Sequence, residues 1–106
     1  MQNKNVTERL IELLTLEQID QNYFRAKCLQ MGGTHIFGGQ LLAQALVAAA
    51  NTTEHREAHS LHGYFIKSGN SQLPILYRVT ILRDGHSFAT RHVQALQEGE
   101  VLFSAM

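Results

Sequence analysis

The sequence predicts an α+β domain in which an antiparallel sheet wraps one long helix. From His35 to Ala50, HIFGGQLLAQALVAAA, a Gly-Gly pair opens a helical run in which Gln44 is the only polar residue from Leu41 onward. A helix apolar on every side has to be surrounded by other structure. From His59 onward the apolar period changes from helical to two, punctuated by the turn pairs Asp84-Gly85 and Glu98-Gly99, which is the pattern of a β-meander. With 106 residues, one domain with one core is expected, spanning 1–106.

Residues 5–20 read as a helical entry. Asn5 with Glu8 three residues later resembles a capping box, and Leu10, Ile11 and Leu14 share a face. Thr15 with Gln18 repeats the start signal, so a break near Thr15 and a second helical turn to Ile19 are expected. Tyr23 to Gln30 (YFRAKCLQ) has strand composition and closes on Met31-Gly32-Gly33. The buried helix follows, then a polar loop over 51–57. His59 to Lys67 is the next strand, and Pro74 marks entry to another in which Ile75, Tyr77, Val79 and Ile81 form one apolar face. Ser87 to Gln97 returns, and Glu100 to Met106 completes about four strands after the helix. The chain stops on Val101-Leu102-Phe103-Ser104-Ala105-Met106, a strand in progress. Termini are usually polar and loose, so this sequence is expected to belong to something longer.

Nine Lys plus Arg balance nine Asp plus Glu, with no run of like charge, which argues against nucleic acid and anionic membrane as partners. A lone cysteine, Cys28, excludes an internal disulfide and any CxxC metal or redox motif. It reads as a core thiol, without a basic helper nearby in sequence. No segment approaches the roughly 20 apolar residues of a membrane span, and the N-terminus has no signal-peptide run. A soluble, cytoplasmic protein is the expectation.

Gly38 and Gly39 let another group approach the first turn of the helix, where unpaired N–H groups and the positive dipole end point outward. A carbonyl oxygen or anion could be held there. Gln40 and Gln44 lie four apart on one helix face. They are candidates to donate to a substrate carbonyl or amide, or equally to bond a partner helix or strand carbonyls. Gly38, Gly39, Gln40 and Gln44 are therefore the candidate substrate-binding residues. Between Thr34 and Thr52 there is no Asp, Glu, Ser, Cys or Lys, so the helix carries no evident base or nucleophile.

Of six histidines, His59 begins a strand after a loop, where a neutral imidazole can act as base or orienting hydrogen-bond partner. It is the catalytic candidate, set against a plain strand histidine bonded to backbone. His59 and His62 form HxxH, but residues three apart on a strand face opposite sides, so no metal site is expected. His35 is a loop residue before the helix, either facing a ligand or solvated. His55 and His86 sit in polar turns, and His92 reads as an exposed strand position. Arg78, Arg83 and Arg91 read as solvated or carboxylate-paired, or as phosphate contacts.

The segments YFRAKCLQ, HIFGGQLLAQALVAAA, HSLHGYFIKSG, PILYRV, LRDGHSFATRHVQALQEG and VLFSAM, in this order, resemble the N-terminal half of the acyl-CoA thioesterase II family. FGGQ, HSLHxYF and LRDGxSF are the specific motifs, and the resemblance covers nearly the whole chain. It implies a hotdog fold, with an antiparallel sheet around one long helix, and membership in a double hotdog whose two domains share one polypeptide. It implies hydrolysis of fatty acyl-CoA by water attack on the thioester in bacterial or peroxisomal enzymes, with no cofactor. The family's catalytic Asp, Ser or Thr, and Gln belong to the C-terminal half and none falls on this sequence. This half is expected to offer helix-end donors around Gly39 and Gln40, and part of an acyl tunnel through Leu41, Phe65 and Phe88. Its implied partners are acyl-CoA and a second hotdog domain, or a second copy through the sheet. The alternative is a non-catalytic hotdog module that binds acyl-CoA or serves dimerisation. A hotdog dehydratase ranks last, because the loop before the helix offers His35 without an Asp beside it.

Overall fold

A computed structural model describes residues 6–27, 38–53, 60–70, 72–85 and 89–106. In chain order the elements are α1 (Val6–Leu14), β1 (Glu17–Asp20), β2 (Tyr23–Ala26), α2 (Gly38–Ala50), β3 (Gly63–Phe65), β4 (Ile75–Asp84), β5 (Ala89–Gln97) and β6 (Glu100–Ala105). The strands form one six-stranded sheet in the order β1-β2-β4-β5-β6-β3, every pairing antiparallel. The architecture is α+β, with α2 laid on one face of the sheet, as expected.

The period of two is expressed as cross-strand rows. Phe24, Tyr77, Ala95, Phe103 and Phe65 stand opposite one another on β2, β4, β5, β6 and β3. Directly opposed residues share a face, and this row lies against α2. Tyr23, Arg78, Gln94, Ser104 and Tyr64 form the matching row on the outer face. Leu41, Ala45 and Ala48 of α2 close onto Ile75, Tyr77, Val93 and Phe103 to make the core.

Three expectations are corrected. The second helical turn to Ile19 is instead the strand β1. α1 stops where the Thr15 hydroxyl donates to the Ile11 carbonyl at 2.6 Å, and the following residues take the open edge of β2, with Arg25 paired to Glu17 at 2.6 Å. A ladder on a ready edge outweighs a weak local start signal. The apolar face of β4 ends at Val79, and Ile81 is exposed. There the register shifts between Ile81 and Arg83, and the residue opposite Ile81 is Arg91. Third, among the described residues α2 is not buried evenly all round. Gln40, Leu41, Gln44, Ala45 and Ala48 are buried, whereas Leu42, Ala43, Leu46 and Val47 are half-buried among the described residues.

The predicted strand over 23–30 is found at Tyr23–Ala26, with Cys28 to Gln30 outside the described residues, as are Asn5 and His35 to Phe37. The strand expected from His59 is shorter, Gly63–Phe65, although backbone bonds at His62, Ile66 and Lys67 extend its pairing with β6. The Glu98-Gly99 turn is as read. Both residues have positive φ, 50° and 80°, which is the two-residue type I′ geometry that matches strand twist.

The two sheet edges differ in kind. β1 is four residues long, fully exposed, carries Glu17, Gln18 and Asp20, and is interrupted by a register shift. Charge, shortness and irregularity are the usual protections of an edge. β3 is just as short but carries neither charge nor irregularity: it reads Gly-Tyr-Phe, followed by Ile66, and Tyr64, Phe65 and Ile66 are 70%, 58% and 60% exposed.

Candidate functional site

The first turn of α2 is built from Gly38, Gly39 and Gln40. Gly39 is exposed and Gly38 half-buried. A Cβ placed on Gly38 would lie 3.2 Å from the Phe65 ring. The close approach expected at this glycine is therefore made by an aromatic side chain from the edge strand. Gly63 has the same character. A Cβ there would stand 2.6 Å from Phe103 and 3.0 Å from Leu42. The Phe65 and Phe103 rings meet at 5.0 Å and 45°.

Gln40 and Gln44 do share a face, and it is the inward one: they are 2% and 0% exposed. The Gln44 amide donates to the carbonyls of Leu13 (2.9 Å) at the end of α1 and Lys27 (3.1 Å) just past β2. Its carbonyl accepts from the Tyr77 hydroxyl at 2.7 Å and from the Gln40 amide at 3.3 Å. Both hydrogens and both lone-pair positions of Gln44 are thus engaged within the protein. This geometry supports the second of the two sequence readings for Gln44, a residue bonded to backbone carbonyls. The only polar residue in the apolar part of α2 is the point where two helices and two segments of the sheet are tied together.

His59, the catalytic candidate, lies outside the described residues, as do Cys28, His35, His55, His86 and Phe88. Among the described residues, no three His, Cys, Asp or Glu side chains converge as metal ligands. No carboxylate occurs on α2. Leu41, assigned to the acyl tunnel, is a core residue at 3% exposure.

Two residues read as exposed are not. Arg91 is 8% exposed. It donates to the Thr52 hydroxyl (2.7 Å) and carbonyl (3.2 Å), and to the Asp84 carboxylate (2.7 Å). It therefore fastens the turn after α2 to the far end of the β4–β5 hairpin. The parity of β5 already carried this signal, since Arg91 falls in step with Val93 and Ala95. His92 is half-buried, its Nε2 2.6 Å from the Ser104 hydroxyl across the outer face. Arg78 donates to the Gln94 side-chain carbonyl, with Nε at 3.1 Å. Gln97, which attracted no notice in the sequence, is 7% exposed and holds the Asn70 backbone through both its oxygen and its nitrogen, each at 2.8 Å.

A family profile described as the acyl-CoA thioesterase N-terminal domain matches residues 26–106. The chain belongs to that family. Acyl-CoA thioesterase 2 of Haemophilus influenzae is 45% identical over 94 residues, covering 88% of this chain and 33% of that protein. Human acyl-coenzyme A thioesterase 8 is 44% identical over 92 residues, covering 86% of this chain and 29% of that protein. The chain thus spans about a third of the length of these curated relatives. A solved tesB protein of Mycobacterium avium subspecies paratuberculosis superposes with TM-score 0.89 at 38% identity, over 95% of this chain and 41% of that one. The fold is therefore that of the hotdog thioesterases. In this acyl-CoA thioesterase domain, Gly38 to Gln44 form the first turns of the helix that the sheet wraps. No helix among the described residues is long and apolar enough to cross a membrane.

Proposed function

We propose that this chain is the N-terminal hotdog unit of an acyl-CoA hydrolase, and that the hydrolytic site is completed by a second hotdog unit. The observation that carries this is the family match over residues 26–106, within relatives about three times as long. The reaction is attack of water on the thioester carbonyl, with proton removal by a general base and stabilisation of the oxyanion by preorganised donors. The base comes from the second unit, since α2 offers no carboxylate. The first turn of α2 presents the positive end of the helix dipole toward the thioester oxygen. Gly39 keeps that turn approachable, Gly38 admits the Phe65 ring beside it, and Gln40 and Gln44 act from inside by holding it. His59 remains the candidate on this chain for a direct contact with the reacting group.

The second unit pairs along β3. The contrast between the protected β1 edge and the bare, aromatic β3 edge supports this side of the sheet as the one that extends. The partner is a hotdog domain in the same polypeptide or, for the chain alone, a second copy.

The test is thiol release from acyl-CoA by the chain alone and by the chain joined to a second hotdog unit of a relative. The chain alone is expected to show little or no hydrolysis and the joined protein to hydrolyse acyl-CoA. Turnover by the chain alone near that of full-length relatives would overturn the division of labour.

A further inference from the structure

We infer that Phe65 sets the acyl-chain length this unit accepts. The inference rests on the thioesterase reading and adds a specificity residue to it. Along the inner row Phe24, Tyr77, Ala95, Phe103 and Phe65, the first four are 1%, 0%, 0% and 0% exposed and the last is 58%. The row that faces α2 is thus closed until its final member, which stands open beside the start of the helix. Ile81, also open, follows the inward parity of β4 but lies at the opposite end of α2, near the Arg91 clamp.

The Phe65 ring is open without being loose. Phe103 supports it at 5.0 Å and 45°, and the bare Cα of Gly38 meets its edge. Two glycines, Gly38 and Gly63, flank the pair of rings, so no side chain from either position stands beside them. Among the described residues, the side chains found against these two glycines are the half-buried Leu42 and the aromatic rings themselves, all hydrocarbon. The cation just past the strand end, Lys67, is engaged with Glu100. A hydrocarbon surface of this kind recognises methylene groups. A flat, supported ring acts as a stop for an alkyl chain lying along the helix start, and its size fixes how many methylenes fit before it.

A second hotdog unit on β3 would also touch this corner, and the experiment separates the two roles. Non-hydrolysable thioether analogues of acyl-CoA from about four to about sixteen carbons are titrated calorimetrically against the chain joined to a second hotdog unit. Affinity is expected to rise about fourfold per methylene while the chain is being buried, then to level off. Phe65→Ala is expected to move that plateau to longer chains by about two methylenes or more, taking each as the area cleared by lost ring carbons, and Phe65→Trp to shorten it. Sedimentation of the same variants reports assembly. Binding with an unmoved plateau in both variants, whatever the assembly state, would overturn the role of Phe65 while leaving the thioesterase reading intact. Absence of binding at every length by the wild-type assembly would overturn both.

Discussion

The hydroxyl of Tyr77 donates to the side-chain carbonyl of Gln44 across 2.7 Å, with both residues fully buried and 33 positions apart in sequence. This bond orients the Gln44 amide so that its nitrogen reaches the ends of α1 and β2. Tyr77→Phe removes one donor and leaves Gln44 otherwise paired, so a loss of about 1 kcal/mol is expected. Gln44→Leu removes the bonds made to the Tyr77 hydroxyl and to the Leu13 and Lys27 carbonyls, and is expected to cost about 3 kcal/mol. Urea unfolding checks both, and equal midpoints for the two variants would contradict the hub.

Arg91 is a buried cation that donates to Thr52 and Asp84 and, at longer range, to the Arg83 and Thr90 carbonyls. Arg91→Met removes the tie between helix end and hairpin, and is expected to destabilise by about 2 kcal/mol. Arg91→Lys should recover only part of that, because one ammonium cannot reproduce the fork that reaches both the Thr52 carbonyl and Asp84. Amide exchange at residues 51–53 is the direct readout. Unchanged protection there in Arg91→Met would show that the turn holds without the clamp.

The β5–β6 hairpin needs positive φ at Glu98 and Gly99. Gly99→Ala is expected to lose about 1 kcal/mol, although nothing lies within 4 Å of the position a Cβ would take. Glu98→Asn should gain about 0.5 kcal/mol, because Asn tolerates the left-handed region better than Glu. Thermal unfolding of the two variants should move in opposite directions.

The bare β3 edge predicts self-association of the chain. Sedimentation should show a concentration-dependent dimer, weakened by Tyr64→Lys and Ile66→Lys and unaffected by charge changes at Gln18 on the opposite edge. A strict monomer at high concentration would count against pairing along β3.

The long periodic segments were legible before any coordinates. α2, β4, β5, β6 and the Glu98-Gly99 turn follow from apolar period and turn chemistry, which are local. β1 was not legible, because Glu17–Asp20 has neither strand period nor β-branched content beyond Ile19, and becomes a strand only because β2 leaves an edge to fill. The burial of Arg91 and of Gln97 is hidden from the sequence read residue by residue, for a related cause. Their burial depends on what lies across the sheet, Thr52 for one and Asn70 for the other, and that is set by the fold. At the site, the sequence marks Gly38 as open to close approach, and the group found beside it is the Phe65 ring, far along the chain on the edge strand. Gln44 was visible as the odd polar residue in an apolar helix, but whether it faced substrate or backbone depended on Leu13 and Lys27.

The backbone of Met106 exchanges two hydrogen bonds with His62, at 2.9 and 2.8 Å, directly ahead of β3. A polypeptide joined at Met106 therefore starts about one strand spacing, roughly 4.8 Å, from the line of His62. Its encounter with the bare edge becomes intramolecular, at an effective concentration on the order of millimolar for a short flexible connection. A second hotdog unit carried at this point would meet the β3 edge at that local concentration without any change to the residues of either edge.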